Sequence, residues 1–310
     1  MIITLAMSAS LDVTYEVDEL NVGDITRPFA VTRVAGGKAL NVARAASALG
    51  AEVRSVAALG GPTGDWVAQM LAEDGVQATV VPLRRATRTC VAVVERAESA
   101  TSTDLYEPAT AFDDDEWNAY AAAVEAAVSE RSSGQAPWVA LSGSVPPGVP
   151  LEQLGALLSR LKAAGAHVVV DGSGAGLRAT APAAELIKVN RQEASALLDV
   201  ELDSARDASL ALHARYGCDA VVTDGIAGAA ALIGGVEAAA PAPARRGRFP
   251  AGSGDAFLGG LLAAFARGGT VAQALAQAAA AGERNALVPG QGRLAPEDAR
   301  SAGAGGPGAA

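Results

Sequence analysis

From Asp113 onward the chain alternates, at regular intervals, between helix-period segments and short runs of β-branched apolar residues. The spacing predicts a helix over 114–130 before a strand at Trp138–Leu141, and a helix over 151–164 before a strand at Val168–Val170. It then predicts a strand at Leu186–Val189 leading to a helix over 191–198, and a helix over 204–216 leading to a strand at Ala220–Thr223. Parallel strands cannot be joined by tight hairpins, so a helix after each strand implies a mainly parallel sheet covered on both faces, a three-layer α/β sandwich. Ligands in such sheets collect at the carboxyl ends of the strands. The polar clusters Ser142-Gly143-Ser144, Asp171-Gly172-Ser173, Asn190 and Thr223-Asp224-Gly225 each follow one of these strands directly.

The first third has a different texture. Residues 2–8 read as a buried strand, and Leu11 to Val34 carries two-residue alternation expected of exposed antiparallel strands. A helix over Asn41–Leu49, a strand at Ser55–Leu59 and a helix over Asp65–Glu73 follow, and the alternation resumes at Thr89–Val94 and Thr103–Tyr106. These pieces predict a small β lid assembled from two separated insertions, about 10–35 and 86–110. The expected organisation is one domain over 1–300, with a disordered Gly/Ala-rich tail over 301–310.

Composition removes several classes of function. The 310 residues carry a net charge of −10 with no Lys/Arg-rich block, which argues against nucleic acid or an anionic membrane as partner. Two cysteines, Cys90 and Cys218, and two histidines, His167 and His213, leave little material for a disulfide framework, a zinc site or a His-based triad. The N-terminus lacks a basic leader pattern and the Ala-rich stretches are broken by Arg267, Gly268 and Pro241, so a cytoplasmic chain is expected. There is no Gly-x-x-x-x-Gly-Lys-[Ser/Thr], and the glycines at 172, 174 and 176 lack dinucleotide-fingerprint spacing.

Within that frame Arg248-Phe249-Pro250-Ala251-Gly252-Ser253-Gly254-Asp255 reads as a glycine turn opening into an apolar helix that runs to about Arg267. First-turn amides have no internal partner and carry partial positive charge, so the turn suits an anion such as phosphate. Asp255 beside it makes sense as a base; the bland alternative is an ordinary helix cap. Gly36-Gly37-Lys38-Ala39-Leu40-Asn41 gives a second glycine turn with a cation and an amide at a helix start, or else a plain turn with a solvent-facing lysine. Lys188-Val189-Asn190-Arg191-Gln192-Glu193 fits a capping box, and also fits a pair orienting hydrated Mg²⁺ and phosphates. Asp12 follows the first strand, where it forms a turn or holds sugar hydroxyls, and Ser144 lies in an ordered loop; Arg88 and Arg27 place guanidiniums on the predicted lid.

In order and spacing these stretches, with Ala281–Gly292, resemble the ribokinase-like (phosphofructokinase B) carbohydrate kinases over residues 1 to about 298, and most of all their phosphosugar branch. The resemblance implies ATP and Mg²⁺ as cofactors and a ketohexose phosphate as substrate, and the alternating Val13, Tyr15, Phe29 and Val31 make a sticky strand edge that predicts a homodimer formed through the lid. It implies that Asp255 is the base and that the amides of Gly252, Ser253 and Gly254 form the anion hole. Asp12, Gly37, Asn41 and Ser144 would contact the sugar. Lys38 and Arg88 would neutralise the phosphate it carries, with Arg27 reaching in from a partner. Lys188, Asn190, Glu193, Thr223, Gly225 and Asn285 would serve the nucleotide, with Asn190 and Glu193 meeting the metal through water. Ala39, Val189, Ser253 and Asp224 depart from the family pattern, and Ala39 is expected to add a methyl beside the sugar. Two other readings stay open: a kinase of an unphosphorylated sugar or nucleoside, and a catalytically silent sugar-binding regulator.

Overall fold

The computed structural model describes residues 1–96, 102–130 and 135–297; the tail expected over 301–310 lies outside them. The chain begins with β1 (Ile2–Ala6), β2 (Ser10–Val17) and β3 (Ala30–Gly36), followed by α1 (Lys38–Ala48), β4 (Val53–Leu59) and α2 (Gly61–Glu73). Next come β5 (Gln77–Pro82), β6 (Arg88–Glu95), β7 (Ser102–Tyr106), α3 (Asp114–Ser129), β8 (Trp138–Ser142), α4 (Leu151–Ala163), β9 (His167–Asp171) and α5 (Gly174–Thr180). The remainder is β10 (Leu186–Asn190), α6 (Arg191–Leu198), α7 (Ala205–Tyr216), β11 (Asp219–Thr223), β12 (Ala229–Ile233), β13 (Val236–Ala240), α8 (Ser253–Phe265) and α9 (Val271–Ala286).

Nine strands form one sheet in the order β13-β12-β11-β10-β9-β8-β1-β4-β5, parallel except at the β11–β12 and β12–β13 pairings. Strand residues alternate between two cores. Ile3, Leu5, Val139, Leu141, Val168, Val170, Ile187 and Val189 pack with α3, α4, α6 and α7. Ile2, Ala6, Ala140, Val169, Leu186 and Val221 face the other way, onto α1, α2, α8 and α9. Period-two alternation turns one apolar strand into the wall of two cores, which makes the molecule three layers deep. This is the ribokinase-like α/β fold expected from the sequence.

A second sheet of four strands, β3-β2-β6-β7, forms the lid from two separate stretches of chain. β2 pairs antiparallel with β3 but parallel with β6, so the lid is mixed rather than purely antiparallel. The expectation of an exposed β2 also fails, because Ser10–Thr14 are all buried. One face of the strand looks into the ligand cavity, and the other lies near α2, so neither face is free.

Five elements escaped the sequence reading: β5, β12, β13, α5 and α9. β12 and β13 are alanine-rich, and alanine has little intrinsic preference for strand. Their pairing across Gly234 and Gly235, with φ of 57° and 77°, makes them a hairpin whose turn needs two left-handed residues. α9 is alanine-rich too, started by a complete capping box between Thr270 and Gln273.

The inner helices pack closely because α8 carries adjacent glycines. A methyl at Gly259 would stand 2.8 Å from both Ala45 Cβ and Val42 O of α1, and one at Gly260 would stand 2.9 Å from Ala281 Cβ of α9. Gly259→Ala is therefore expected to destabilise the fold by about 1–3 kcal/mol through overpacking. Urea unfolding of the two proteins checks this.

Candidate active site

The carboxyl ends of the strands, the N-terminus of α8 and the inner face of the lid enclose a cavity of about 1010 Å³. At its centre is the turn into α8. Gly252 takes φ 82°, and a Cβ there would lie 2.7 Å from Gln291 Cβ, so both the conformation and the space demand glycine. Asn285 holds the turn from beneath: Nδ2 donates to Ala251 O at 2.9 Å and to Ser253 Oγ at 3.2 Å, while Oδ1 accepts from Gly292 N at 2.7 Å. Asn285 is fully buried and stands behind the cavity wall, so its place is under the turn rather than against a ligand. Of the three amides expected to form the anion hole, that of Ser253 already donates to Pro250 O at 3.1 Å.

Asp255 is the third residue of α8, and the cap position belongs to Gly252, which makes no side-chain cap bond. Its carboxylate is therefore not a helix cap. It is buried and accepts from Asn41 Nδ2 at 2.9 Å. Burial pushes its pKa up to about 6, aided by the neighbouring Asp171, while Lys38, the Asn41 hydrogen bond and Lys188 hold it back. A carboxylate poised close to neutrality can take a proton from a hydroxyl and later release it.

Two groups to which the sequence reading gave no individual role organise this centre. Asp171, at the end of β9, is buried; Ser142 Oγ donates to its Oδ2 at 2.8 Å, and Oδ1 has no hydrogen-bond partner. Lys188 Nζ and Lys38 Nζ lie 3.6 and 3.8 Å from Oδ1. Burial alone would raise the Asp171 carboxyl, but Lys188 and Lys38 outweigh it and hold the pKa below the usual value. Asp171 in turn raises the pKa of Lys38, whose ammonium also approaches Glu193 Oε1 at 3.7 Å. Lys38 thus stands in the carboxylate cluster around Asp255. Arg44 is the other omission. Its guanidinium is buried, donating to Asp74 Oδ2 at 2.6 Å, to Gln291 O at 2.7 Å, to Asn41 Oδ1 at 3.4 Å and to Ala35 O. At about 100° per residue Arg44 stands on the opposite side of α1 from Val42, Ala45 and Ala46, a position that reads as a polar face; α1 is in fact buried from Ala39 to Ala46, and a charge is buried there only when fully bonded.

Towards the lid, Asp12 is buried, accepts from Ser10 Oγ at 2.6 Å and lies 3.4 Å from Gly37 N; burial raises its pKa. Gly36 is obligatory beside it, since a Cβ would fall 2.0 Å from the carboxyl carbon. Arg88 lines the cavity, with Nη1 donating to Glu107 O at 3.1 Å and Nη2 to Ser8 O at 3.2 Å, while its buried Nε has no partner. Ser144 is exposed at the rim, its Oγ 3.3 Å from that of Ser8, and Arg27 is exposed on the β2–β3 connection away from the cavity. A further arginine, Arg248, ties the lid to the central turn: Nη2 donates to Glu95 O at 3.1 Å and Nη1 lies 3.9 Å from Glu16 Oε2.

At the opposite end Thr223, Gly225, Asn190 and Glu193 line the cavity. Asn190 and Glu193 form a complete capping box, with Glu193 N donating to Asn190 Oδ1 at 2.8 Å and Asn190 N to Glu193 Oε2 at 2.9 Å. The Asp224 departure is explained by an ion pair with Arg191 at 3.0 Å, and Val189 is an ordinary core residue of β10. Ala39 corrects an expectation: its methyl is buried in the core between α1 and the sheet and does not line the cavity, so it leaves the acceptor pocket unchanged.

A buried carboxylate at a glycine turn, two lysines and the inner face of a lid are brought together around one large cavity, and the family comparison says what kind of protein carries them. The chain belongs to the pfkB family of carbohydrate kinases, whose model matches residues 4–298. Among solved structures it is similar to phosphofructokinase-2 of Escherichia coli in complex with potassium, with 29% identity, 95% of this chain and 94% of that chain covered, and a TM-score of 0.84. The same enzyme in complex with fructose 6-phosphate matches with 29% identity, coverage of 91% and 92%, and a TM-score of 0.81. Its tetrameric inhibited form matches with 28% identity, coverage of 92% and 93%, and a TM-score of 0.83.

If Asp255 is the group that must be ionised for turnover, kcat/KM falls as the pH drops through about 6, because the raised carboxyl takes up its proton there. Lys38→Met removes a charge that holds this pKa down, so the acidic limb is expected to move to higher pH. A pH–rate profile of both proteins checks the sign.

Proposed function

We propose that this kinase transfers the γ-phosphate of ATP to a primary hydroxyl of a ketohexose phosphate in the cytoplasm: fructose 1-phosphate, fructose 6-phosphate or tagatose 6-phosphate. The observation that carries the reading is the buried Asp255, its pKa near 6, at the head of the glycine turn and bonded to Asn41. Asp255 accepts the hydroxyl proton as the acceptor oxygen bonds the γ-phosphorus and the bond to ADP breaks. The Gly252 and Gly254 amides and the Lys38 ammonium face the charge that develops on the phosphoryl oxygens, which is mostly positioning and electrostatic work. Asp12, Gly37 and Asn41 hold sugar hydroxyls, with Ser144 at the rim. Lys188, Thr223 and Gly225 flank the nucleotide.

Mg²⁺ fits this site only through water. Among the described residues no group of three or more His, Cys, Asp or Glu is placed to hold a metal ion. Asn190 and Glu193 are committed to each other, leaving Glu193 Oε1 free of the capping box to meet a hydrated ion held chiefly by nucleotide phosphates. When bound, the ion would neutralise phosphate charge.

The phosphosugar assignment rests on Arg88 and on likeness to an enzyme solved with fructose 6-phosphate. Arg88 keeps an unpartnered Nε and the second hydrogens of its terminal nitrogens for a phosphate. A second reading, an unphosphorylated sugar as acceptor, is favoured by the engagement of both terminal nitrogens with backbone carbonyls.

A dimer through the lid is part of the proposal. Phe29, Val31 and Leu105 expose 47%, 40% and 64% of their surface there, enough apolar area to favour a covered lid. Val13, expected in that patch, is buried within its own chain. Arg27 would then reach a partner's cavity.

Asp255→Asn should keep fold and ligand binding while lowering kcat by on the order of a hundredfold or more. Near-normal turnover in a folded variant would remove the assignment. Arg88→Ala should raise KM for the phosphosugar by about ten- to a hundredfold, the loss of one charge-assisted contact, with KM for ATP unchanged. Equal damage to phosphorylated and free sugars would instead favour the second reading. Light scattering of Leu105→Glu should show loss of the dimer.

A further inference from the structure

The acceptor end of the cavity carries two side chains with no part in the roles above, Asp104 and Tyr106 of β7. Their place follows from strand register. Ser10 pairs with Arg88, Asp12 with Cys90 and Thr14 with Ala92, while Cys90 pairs with Tyr106 and Ala92 with Asp104. Residues paired across strands point to the same face of a sheet. The cavity face of the lid is therefore ordered in rows: Ser10 and Arg88, then Asp12, Cys90 and Tyr106, then Thr14, Ala92 and Asp104. Four residues of extended strand separate the first row from the third, about 13 Å. A cation marks one end of this face and an anion the other.

Among the described residues the exposed Asp104 carboxylate has only hydroxyl partners in its hydrogen bonds. Ser102 Oγ donates to Oδ1, and Tyr106 OH lies 3.4 Å from Oδ2. These contacts aim the carboxylate and leave lone pairs open to the cavity, since each oxygen can accept more than one bond. A dianionic phosphate brought to this end would meet like charge, whereas a sugar hydroxyl or an ammonium group would donate to it.

We infer that Asp104, oriented by Tyr106 and Ser102, selects the acceptor by charge at its outer end. It accepts a hydrogen bond from a hydroxyl or ammonium group there and repels a phosphate. Any phosphate the acceptor carries is thereby confined to the Arg88 end, which sets which of its hydroxyls meets Asp255. Asp104 is a specificity residue, not part of the phosphoryl transfer. The inference rests on the carbohydrate-kinase reading but not on the acceptor being a phosphosugar.

The test compares the unaltered protein with Asp104→Asn and Asp104→Ala on fructose, fructose 1-phosphate, fructose 6-phosphate and tagatose 6-phosphate. Each is assayed with ATP, or as a competitive inhibitor where turnover is too slow to measure. In both variants the ratio of kcat/KM, or of inhibition constants, between acceptors that differ in the presence or position of the phosphate should change by tenfold or more. KM for ATP should stay unchanged. A merely structural loss would scale all acceptors together. A common factor for every sugar, or no change at all, would overturn the role of Asp104. Turnover of fructose but of no phosphosugar by the unaltered protein would overturn the phosphosugar assignment alone, and the Asp104 ratio could still be read between fructose and its phosphates.

Discussion

Everything at the centre of this molecule depends on keeping carboxylates charged where water is scarce. Asp255 and Asp171 are both buried and close enough for Asp171 to disfavour the charge on Asp255, and burial pushes both carboxyls up. Two lysines divide the problem unequally. Lys188 is itself buried and, with Lys38, sits against Asp171, which stays ionised. Asp255 receives less direct help, one amide from Asn41 and the lysines in its surroundings, and settles near 6. One carboxylate is thus a permanent charge and the other can change state, an asymmetry set by distance to the ammonium groups.

The rest of the architecture holds those distances. Asn41 reaches Asp255 only because α1 and α8 are pressed together at Gly259, and its amide is aimed by Arg44. Arg44 also grips the carbonyls of Ala35 and Gln291, so the strand entering the first glycine turn and the loop behind the second share one buried guanidinium. Gly292 packs against Asn41, where a Cβ would lie 2.5 Å from its carbonyl oxygen. The two glycine motifs, more than two hundred residues apart in sequence, are two sides of one contact.

Much of this could be read before the structure was known. Alternating apolar runs from Trp138 to Thr223 identified the parallel sheet, because only fully buried strands read that way and only helices can connect them. Glycines next to Lys38 and Asp255 identified the turns. What could not be read was set by tertiary contacts. β12 and β13 are strands because the sheet offers them a partner, not because alanine favours them. Asp171 looked like one more loop residue until Lys188 and Lys38 converged on it, and Asn285 reveals its structural duty only through its hydrogen bonds, whereas the capping box of Asn190 and Glu193 was legible from its spacing. Ala39 was expected to add a methyl beside the sugar because it departs from the family pattern next to Lys38, whereas one step along a helix turns the side chain by about 100° and its methyl goes into the core.

The contact of Arg248 with the ends of two lid strands gives the enzyme a geometric interlock. The arginine stands only four residues before Gly252, on the loop that delivers the glycine turn at the head of α8, and it holds Glu95 O and approaches Glu16. A lid displaced outward must stretch that bond or drag the loop with it. Cover and floor are therefore not independent parts, and opening the lid to bulk water is mechanically tied to moving the glycine turn and Asp255 behind it.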